Sequence, residues 1–267
     1  PLSDELFRDI QGFSIRALPV NSKLPSISFL DHYIRYVPLQ YHHYYIDLRL
    51  SFEEYQSRFS SKSRSTIRRK LKKFTQKSGG EVHWRTYKHT QEMEEFFRIA
   101  RAVSQKTYHE TLLDAGLPDS EAFLKNLKAW ADADNVRAYV LFHADQPISY
   151  LCCPARDGVL VYAYQGYDPT YREFSVGTVL QWLALEQLFS EQRFILFDFT
   201  EGQSPHKRQF ATHNQQCANV FFLQDNLRNR LLVYTHWLSQ QTSKKFGDWL
   251  ERIGLKAKLK RVLRFHR

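Results

Sequence analysis

The stretch Gly166–Phe189, GYDPTYREFSVGTVLQWLALEQLF, leads from an aromatic strand into a long amphipathic helix. A strand over 159–165 precedes it, and a strand over 194–200 follows the helix, which the apolar spacing places from about Thr178 to Ser190. A connector between a strand and a helix does not need a glycine at the helix entrance. Here Ser175, Val176, Gly177 and Thr178 stand there, with Arg172 a few residues upstream. The first N–H groups of a helix have no intrahelical acceptor and carry partial positive charge. A phosphate placed at such an end satisfies both conditions. Gly177 lets the backbone come close and take angles other residues avoid. Ser175 or Thr178 can cap or donate a hydroxyl, and Arg172 adds a charged donor. The bland alternative is an ordinary N-cap with an incidental glycine. No Gly-Lys-Ser/Thr follows, so this is not a Walker loop, and no GxGxxG marks a dinucleotide fold.

The rest of the chain gives this unit its setting. Strands are expected at Phe13–Leu18 and Tyr44–Leu50. Ser51 caps a short helix to about Phe59, Ser60–Ser65 break it, and a second helix runs from Thr66 to Gln76, where Gly79 and Gly80 end the run. Then come a strand at Val82–Tyr87, a helix capped by Thr90 and running to about Tyr108, and a helix opened by Ser120 and reaching about Ala131. A meander follows at Val136–His143, Ile148–Ala155 and Val159–Gln165, with tight turns between. After the central helix and strand, a short helix at Pro205–Thr212, a strand at Ala218–Gln224 and helices at Leu227–Gln240 and Phe246–Phe265 close the chain. Hairpins mixed with a β-α-β crossover argue for a mixed α/β layer fold. The expected organisation is one overall domain: N-terminal strands (1–50), a core (51–225) and basic C-terminal helices (226–267).

The 267 residues suffice for a substantial core, and 43% apolar residues with 15% aromatics exclude a disordered chain. The chain starts at Pro1, as a processed or excised sequence would, and no apolar run is long enough to cross a membrane. Cys152, Cys153 and Cys217 show no CxxC spacing, and read as buried thiols in a reduced, cytosolic setting. No histidine spacing suggests a metal.

The net charge of +10 is concentrated. Arg58–Lys77 holds nine cations and no acid, and Gln240–Arg267 holds nine cations against Asp248 and Glu251. Such segments meet phosphates or anionic surfaces, or are simply solvated helix faces. The tail residues Leu255, Leu259, Val262 and Leu263 make one side of a basic amphipathic helix, fit either to touch an anionic membrane or to dock on the domain's own core.

The order of meander, glycine-bearing loop, long helix and strand resembles the GNAT acyltransferase superfamily. More narrowly, the chain is similar to the branch associated with cellulose and exopolysaccharide biosynthesis, itself related to FemAB-type peptidyltransferases. The carrying pieces are YYIDLRLSFEEYQSRFSSKSRSTIRRKLKKF, YAYQGYDPTYREFSVGTVL and DFTEGQSPHKRQFATH, spread over roughly Tyr44–Leu223. The loop has Ser-Val-Gly where the family often has Ser-Pro-Gly, and His206 stands before Lys207 where the family usually has tyrosine. The resemblance implies a GNAT fold with a mixed, mostly antiparallel sheet flanked by helices. It also implies acetyl-CoA or another acyl-CoA as donor, and its pyrophosphate at the loop. The cofactor contacts would then be Tyr164, Gln165, Arg172, Ser175, Val176, Gly177 and Thr178.

Acyl transfer from a thioester needs positioning, an oxyanion donor and a base. A backbone N–H in Tyr162–Gln165 would serve as the oxyanion donor, by analogy with the superfamily's strand splay. His206, with its near-neutral pKa, is the first candidate base, then Glu201, then Asp198; Lys207 is a cationic partner for carbonyl, substrate or phosphate. Each has a plainer reading. Asp198 can hydrogen-bond its own loop, Glu201 can belong to a turn, Lys207 can be solvated, and Tyr162 and Tyr164, expected on one face, can be core or pocket wall.

Three functions compete. The leading one is acyl transfer from acyl-CoA to an amine or hydroxyl of a cell-envelope or polysaccharide-related acceptor, in the cytoplasm or peripheral to the membrane. The second is a FemAB-like transfer from aminoacyl-tRNA, in which Arg64–Lys73 would hold the RNA; sparse aromatic interleaving weakens it. The third is a binding module that has kept the fold and lost the chemistry.

Overall fold

A computed structural model describes residues 11–107 and 116–252. The described residues form two compact units, one within 44–214 and the other from 11–43 with 215–252.

The unit formed by the chain ends contains β1 (Gly12–Pro19), β2 (Ile27–Leu30), most of β3 (Tyr33–Asp47), β10 (His213–Gln224) and a long helix at Leu227–Arg252. β1 pairs antiparallel with β10 from Gly12↔Leu223 to Pro19↔Cys217, and β2 forms a hairpin with β3. Ile34, Tyr36 and Val233 form one small core with Trp237, and Val37, Ala218 and Val220 form another. The long helix is held along Asn229, Val233 and Trp237, and His236 Nδ1 lies 2.7 Å from the Tyr36 hydroxyl.

The central unit begins at the end of β3. Its other strands are β4 (Trp84–Tyr87), β5 (Val136–His143), β6 (Gln146–Arg156), β7 (Val159–Val161), β8 (Tyr164–Tyr167) and β9 (Leu196–Asp198). Their order is β3-β9-β7-β6-β5-β4, with β8 also on β6. All pairs are antiparallel except β7 with β9. A parallel pair needs a crossover, and α5 (Val176–Glu191) is that crossover. The helices before it are α1 (Phe52–Ser57), α2 (Ser61–Lys77), α3 (Met93–Ser104) and α4 (Glu121–Asp132); α6 (Pro205–Phe210) and α7 (Leu227–Arg252) follow.

β5 shows how the sheet is covered. Tyr139 and Leu141 pack with α1, α2 and α5, whereas Ala138 and Val140 pack with α3 and α4. Both faces are therefore buried, and the strand alternates between two cores. This is the mixed, mostly antiparallel sheet flanked by helices that was expected.

Several elements differ from the sequence reading. The break expected over Ser60–Ser65 is confined to residues 58–60, between α1 and α2; Ser60 closes it by capping α2, its hydroxyl accepting from Ser63 N–H, and Ser61–Ser65 are helical. β3 begins at Tyr33, and β2 was not anticipated. Thr90–Glu92 is a 3-10 turn on His89, and α3 starts at Met93. The two expected C-terminal helices are one through Arg252; the stretch beyond it, like Tyr108, lies outside the described residues. The strand expected at 159–165 is two strands, β7 and β8, and this break shapes the site.

Cys152, Cys153 and Cys217 are free and buried, and burial pushes the Cys152 and Cys153 thiols well above their ordinary range. They are core side chains. Among the described residues, no helix is long and apolar enough to cross a membrane.

Candidate active site

The entrance to α5 is built by a turn. Asp168 Oδ1 accepts from Thr170 N–H at 3.0 Å and caps a 3-10 turn over Pro169–Phe174. Ser175 then takes φ 55°, ψ 40°, a left-handed conformation that costs a non-glycine residue about 1 kcal/mol. Its side chain makes no cap. Its carbonyl instead accepts from Thr178 N–H (2.8 Å) and Val179 N–H (3.1 Å). The N–H groups of Val176 and Gly177, in the first turn, have no intrahelical acceptor.

The special backbone angle therefore belongs to Ser175 and not to Gly177, which is absent from the positive-φ glycines. Gly177 matters for what it leaves empty. A Cβ there would meet only Tyr167 Cδ1, at 3.7 Å.

α2 supplies positive charge to this entrance. Lys70 Nζ stands 3.4 Å from Thr178 Oγ1, and Lys73 Nζ contacts the Glu173 carbonyl and carboxylate at 3.2 Å each. Burial, with some help from Arg69, lowers the Lys70 ammonium pKa. From sequence this helix was open to phosphates, an anionic surface or RNA; the fold sets two of its lysines beside the loop expected to hold the phosphates. Arg172 is exposed beside it.

Further along α5, Gln181 is buried, and its Oε1 lies 2.6 Å from His206 Nε2 on α6 and 3.2 Å from the Tyr162 hydroxyl. The Tyr162 hydroxyl also meets Gln165 Oε1, making a polar chain Gln165–Tyr162–Gln181–His206. Gln181 Nε2 is buried without a hydrogen-bond partner among the described residues. His206 packs on Phe210, with ring centroids 4.8 Å apart, and edge-on to Phe199 at 6.4 Å. Burial, then the charges of Lys70 and Lys207, push its pKa down to about 4. The ring is neutral at pH 7. With Nε2–H donating to Gln181, Nδ1 carries the lone pair. Gln181 was not singled out from sequence: a glutamine inside an apolar helix carries no signal until its partners are known.

Lys207, Glu201 and Asp198 gather around a separate loop. Lys207 Nζ donates to Glu201 O at 2.7 Å and approaches Thr200 O at 3.4 Å. Burial lowers its pKa, while Asp198 and Glu201 oppose the shift. Asp198 Oδ1 accepts from Thr200 N–H at 2.7 Å. Thr200 and Gly202 both have positive φ, so these contacts hold a tight turn.

The β7–β8 break reorients the tyrosines. Register with β6 shifts by one residue between Leu160↔Ala155 and Tyr164↔Cys152, where Ala163 N–H folds back to Val161 O at 2.8 Å. The shift cancels the expected alternation, so Tyr162 packs with Phe197 and Phe199 while Tyr164 packs edge-on against Phe123 of α4, in the opposite core. Tyr164 is thus on the other side of the sheet from His206. β9 stays with β7 and ends its pairing at Val161↔Asp198, while β8 continues on β6 alone. Asp168 N–H bonds Ile148 O, and ladder alternation then turns the N–H of Gln165 and Tyr167 away from β6, to the side β9 has left.

A cleft of about 530 Å³ lies elsewhere, between Glu81–Arg85 and Phe142–Asp145, and contains none of these residues. Among the described residues, no group of His, Cys, Asp and Glu is arranged to hold a metal.

A family profile described as acetyltransferase (GNAT) domain matches residues 61–208. The chain belongs to this acetyltransferase family, a class of acyltransferases. No curated protein matches. Among solved structures, FemX is similar with a TM-score of 0.50 at 10% identity, covering 72% of this chain and 63% of that one. The C-terminal domain of a putative lysylphosphatidylglycerol synthetase from Agrobacterium fabrum gives 0.49 at 10% identity, covering 72% and 64%. A GCN5-related N-acetyltransferase from Kribbella flavida gives 0.38 at 13% identity, covering 72% and 60%. At these identities the likeness concerns the fold alone, and the chain spans less than two thirds of each of these three.

Proposed function

We propose that this protein transfers an acetyl or other acyl group from acyl-CoA to an amine or hydroxyl on a cell-envelope or polysaccharide-related acceptor. The observation that carries the reading is one helix with two functional features in adjacent turns. The first turn of α5 is bare and faces Lys70, and the next turn holds Gln181 against a neutral His206. The residues fit an acyl-CoA. Val176 and Gly177 N–H, Thr178 Oγ1, Lys70 and Arg172 would hold its phosphates, with Ser175 setting the turn. The thioester would supply an activated acyl carbon. The chain's own groups would do the rest. The Gln165 N–H would stabilise negative charge developing on the carbonyl oxygen, and His206 Nδ1 would take the proton from the nucleophile. Lys207, Glu201 and Asp198 would shape the loop beside it. Tyr164 would act at most through its backbone.

The finer assignment, to the exopolysaccharide-associated branch working from the cytoplasmic side, is supported by the order of the three sequence motifs. Envelope acceptors also make a peripheral membrane contact part of this reading.

Calorimetric titration of acetyl-CoA into the wild type and Gly177→Glu tests it. A Cβ at Gly177 meets only Tyr167 Cδ1, at an ordinary contact distance of 3.7 Å, so the variant should fold, and its carboxylate should repel a phosphate and weaken binding by at least about tenfold. Absence of binding to the wild type overturns the reading.

One observation favours a second donor. Arg68, Arg69 and Lys72 are exposed on α2 beyond the lysines at the α5 entrance, more charge than one pyrophosphate engages. An aminoacyl-tRNA would use them, with binding that falls steeply with salt.

A further inference from the structure

α7 buries one side and exposes another that is equally apolar. Asn229, Val233 and Trp237 face the small core of the terminal unit. Leu227, Leu231, Tyr234 and Leu238 follow i, i+4, i+7, i+11 spacing, so they stack along a different side of the helix. They are 84%, 65%, 47% and 56% exposed, and Phe246 and Trp249 further along are 59% and 52% exposed. Isolated exposed leucines need no explanation; an unbroken stripe along the first three turns of a 26-residue helix, with two more exposed aromatics near its end, does.

We infer that this face of α7 docks on an anionic lipid bilayer, the stripe entering the headgroup–acyl boundary. Charge complementarity chooses this occupant over a second copy of the chain. Residues 253–267, directly after α7, hold six Lys or Arg and no acid, and Arg228 and Lys245 are exposed on the helix itself. Two copies of so cationic a segment repel each other, whereas a bilayer with anionic headgroups neutralises the charge. Leucine with tyrosine, phenylalanine and tryptophan on the apolar side and arginine and lysine beside them is the chemistry of an interfacial helix, which lies on the membrane without crossing it. The inference goes beyond the transfer chemistry, and its test needs no donor or acceptor.

The experiment is co-sedimentation of the full chain with vesicles of phosphatidylcholine containing about 30% phosphatidylglycerol, against vesicles of phosphatidylcholine alone. The wild type should bind the anionic vesicles and bind the neutral ones at least about tenfold more weakly. Added salt should reduce the binding. The double variant Leu231→Glu/Leu238→Glu should lose about tenfold or more, because two leucines no longer enter the apolar layer. Both positions are exposed, so its circular dichroism and its acetyl-CoA binding should match the wild type. Binding of the double variant equal to the wild type would overturn the inference and leave charge alone as the cause. So would a wild type that ignores both vesicles but dimerises in solution through a contact the double variant breaks.

Discussion

His206 Nε2 and Gln181 Oε1 lie 2.6 Å apart, joining the half-buried ring on α6 to the buried second turn of α5. The bond holds the imidazole in one orientation and leaves Nδ1 as the basic nitrogen. It also ties the candidate base to the helix whose first turn is the candidate phosphate site, so that donor and base would share one rigid element.

Replacing His206 by glutamine should lower the rate of acyl transfer by about 10²–10⁴-fold, the usual contribution of a positioned base. The wild-type rate should rise with pH through about 4 and stay level through neutrality, because the ring must be neutral to act. An acid limb near pH 6.5 would contradict this environment.

The same residue links folding to pH. Unfolded, His206 takes a proton near its ordinary value of 6.5; folded, it resists until about 4. Between these values the unfolded chain holds more protons. This contribution therefore leaves stability untouched above pH 6.5 and removes about 3 kcal/mol as pH falls to 4, at about 1.4 kcal/mol per pKa unit. Denaturant titrations at pH 7 and pH 4 should show a smaller drop for His206→Gln than for the wild type.

Gln181→Glu sets a carboxylate where an amide oxygen meets Nε2. It should favour the imidazolium and raise the His206 pKa, moving the acid limb of the rate profile upward and lowering activity at neutral pH. Nuclear magnetic resonance titration of the ring reads the shift without activity. An unmoved His206 would show that the pair is not coupled.

Lys70→Met should weaken acetyl-CoA binding by about tenfold, the scale of one charge-assisted phosphate contact. It should also raise the His206 pKa, since the Lys70 charge helps depress it. Arg68→Ala/Arg69→Ala/Lys72→Ala should leave acetyl-CoA affinity nearly unchanged. If tRNA is the true donor, that triple variant should instead flatten the salt dependence of its binding.

Gly166→Ala tests the strand that carries the proposed oxyanion donor. A Cβ there would overlap the Tyr150 ring and lie 2.7 Å from Thr107 Cγ2. Overpacking of this kind costs about 1–3 kcal/mol, to be read from the denaturant midpoint. Activity should fall more than stability accounts for, because Gln165 is the adjacent residue.

Much of the fold was legible because it rests on local signals. Ser51 and Ser120 cap helices through their own hydroxyls, Gly79 and Gly80 turn the chain with positive φ, and the short apolar runs of β5 and β6, bounded by turn residues, mark a hairpin. The motif order placed α5 between parallel β7 and β9, and the glycine at its start pointed to the bare entrance. Other features depend on distant partners. Ser60 reads as a helix breaker or a helix cap equally well until its neighbours are placed. At the break between β7 and β8 the register with β6 shifts by one residue and the pairing with β9 ends, and that break puts Tyr162 and Tyr164 in different cores.

The sequence by itself determined the layer architecture, the crossover helix and its glycine, and the two basic segments, since periodicity, caps and charge are properties of neighbours along the chain. The tertiary structure decided that Lys70 of one basic segment faces Thr178, that Gln181 holds His206, and that a leucine stripe on α7 stays uncovered by the described residues. Those depend on which side chains, more than a hundred residues apart in the first case, come within hydrogen-bonding distance and which faces find an apolar partner, and no local pattern encodes either.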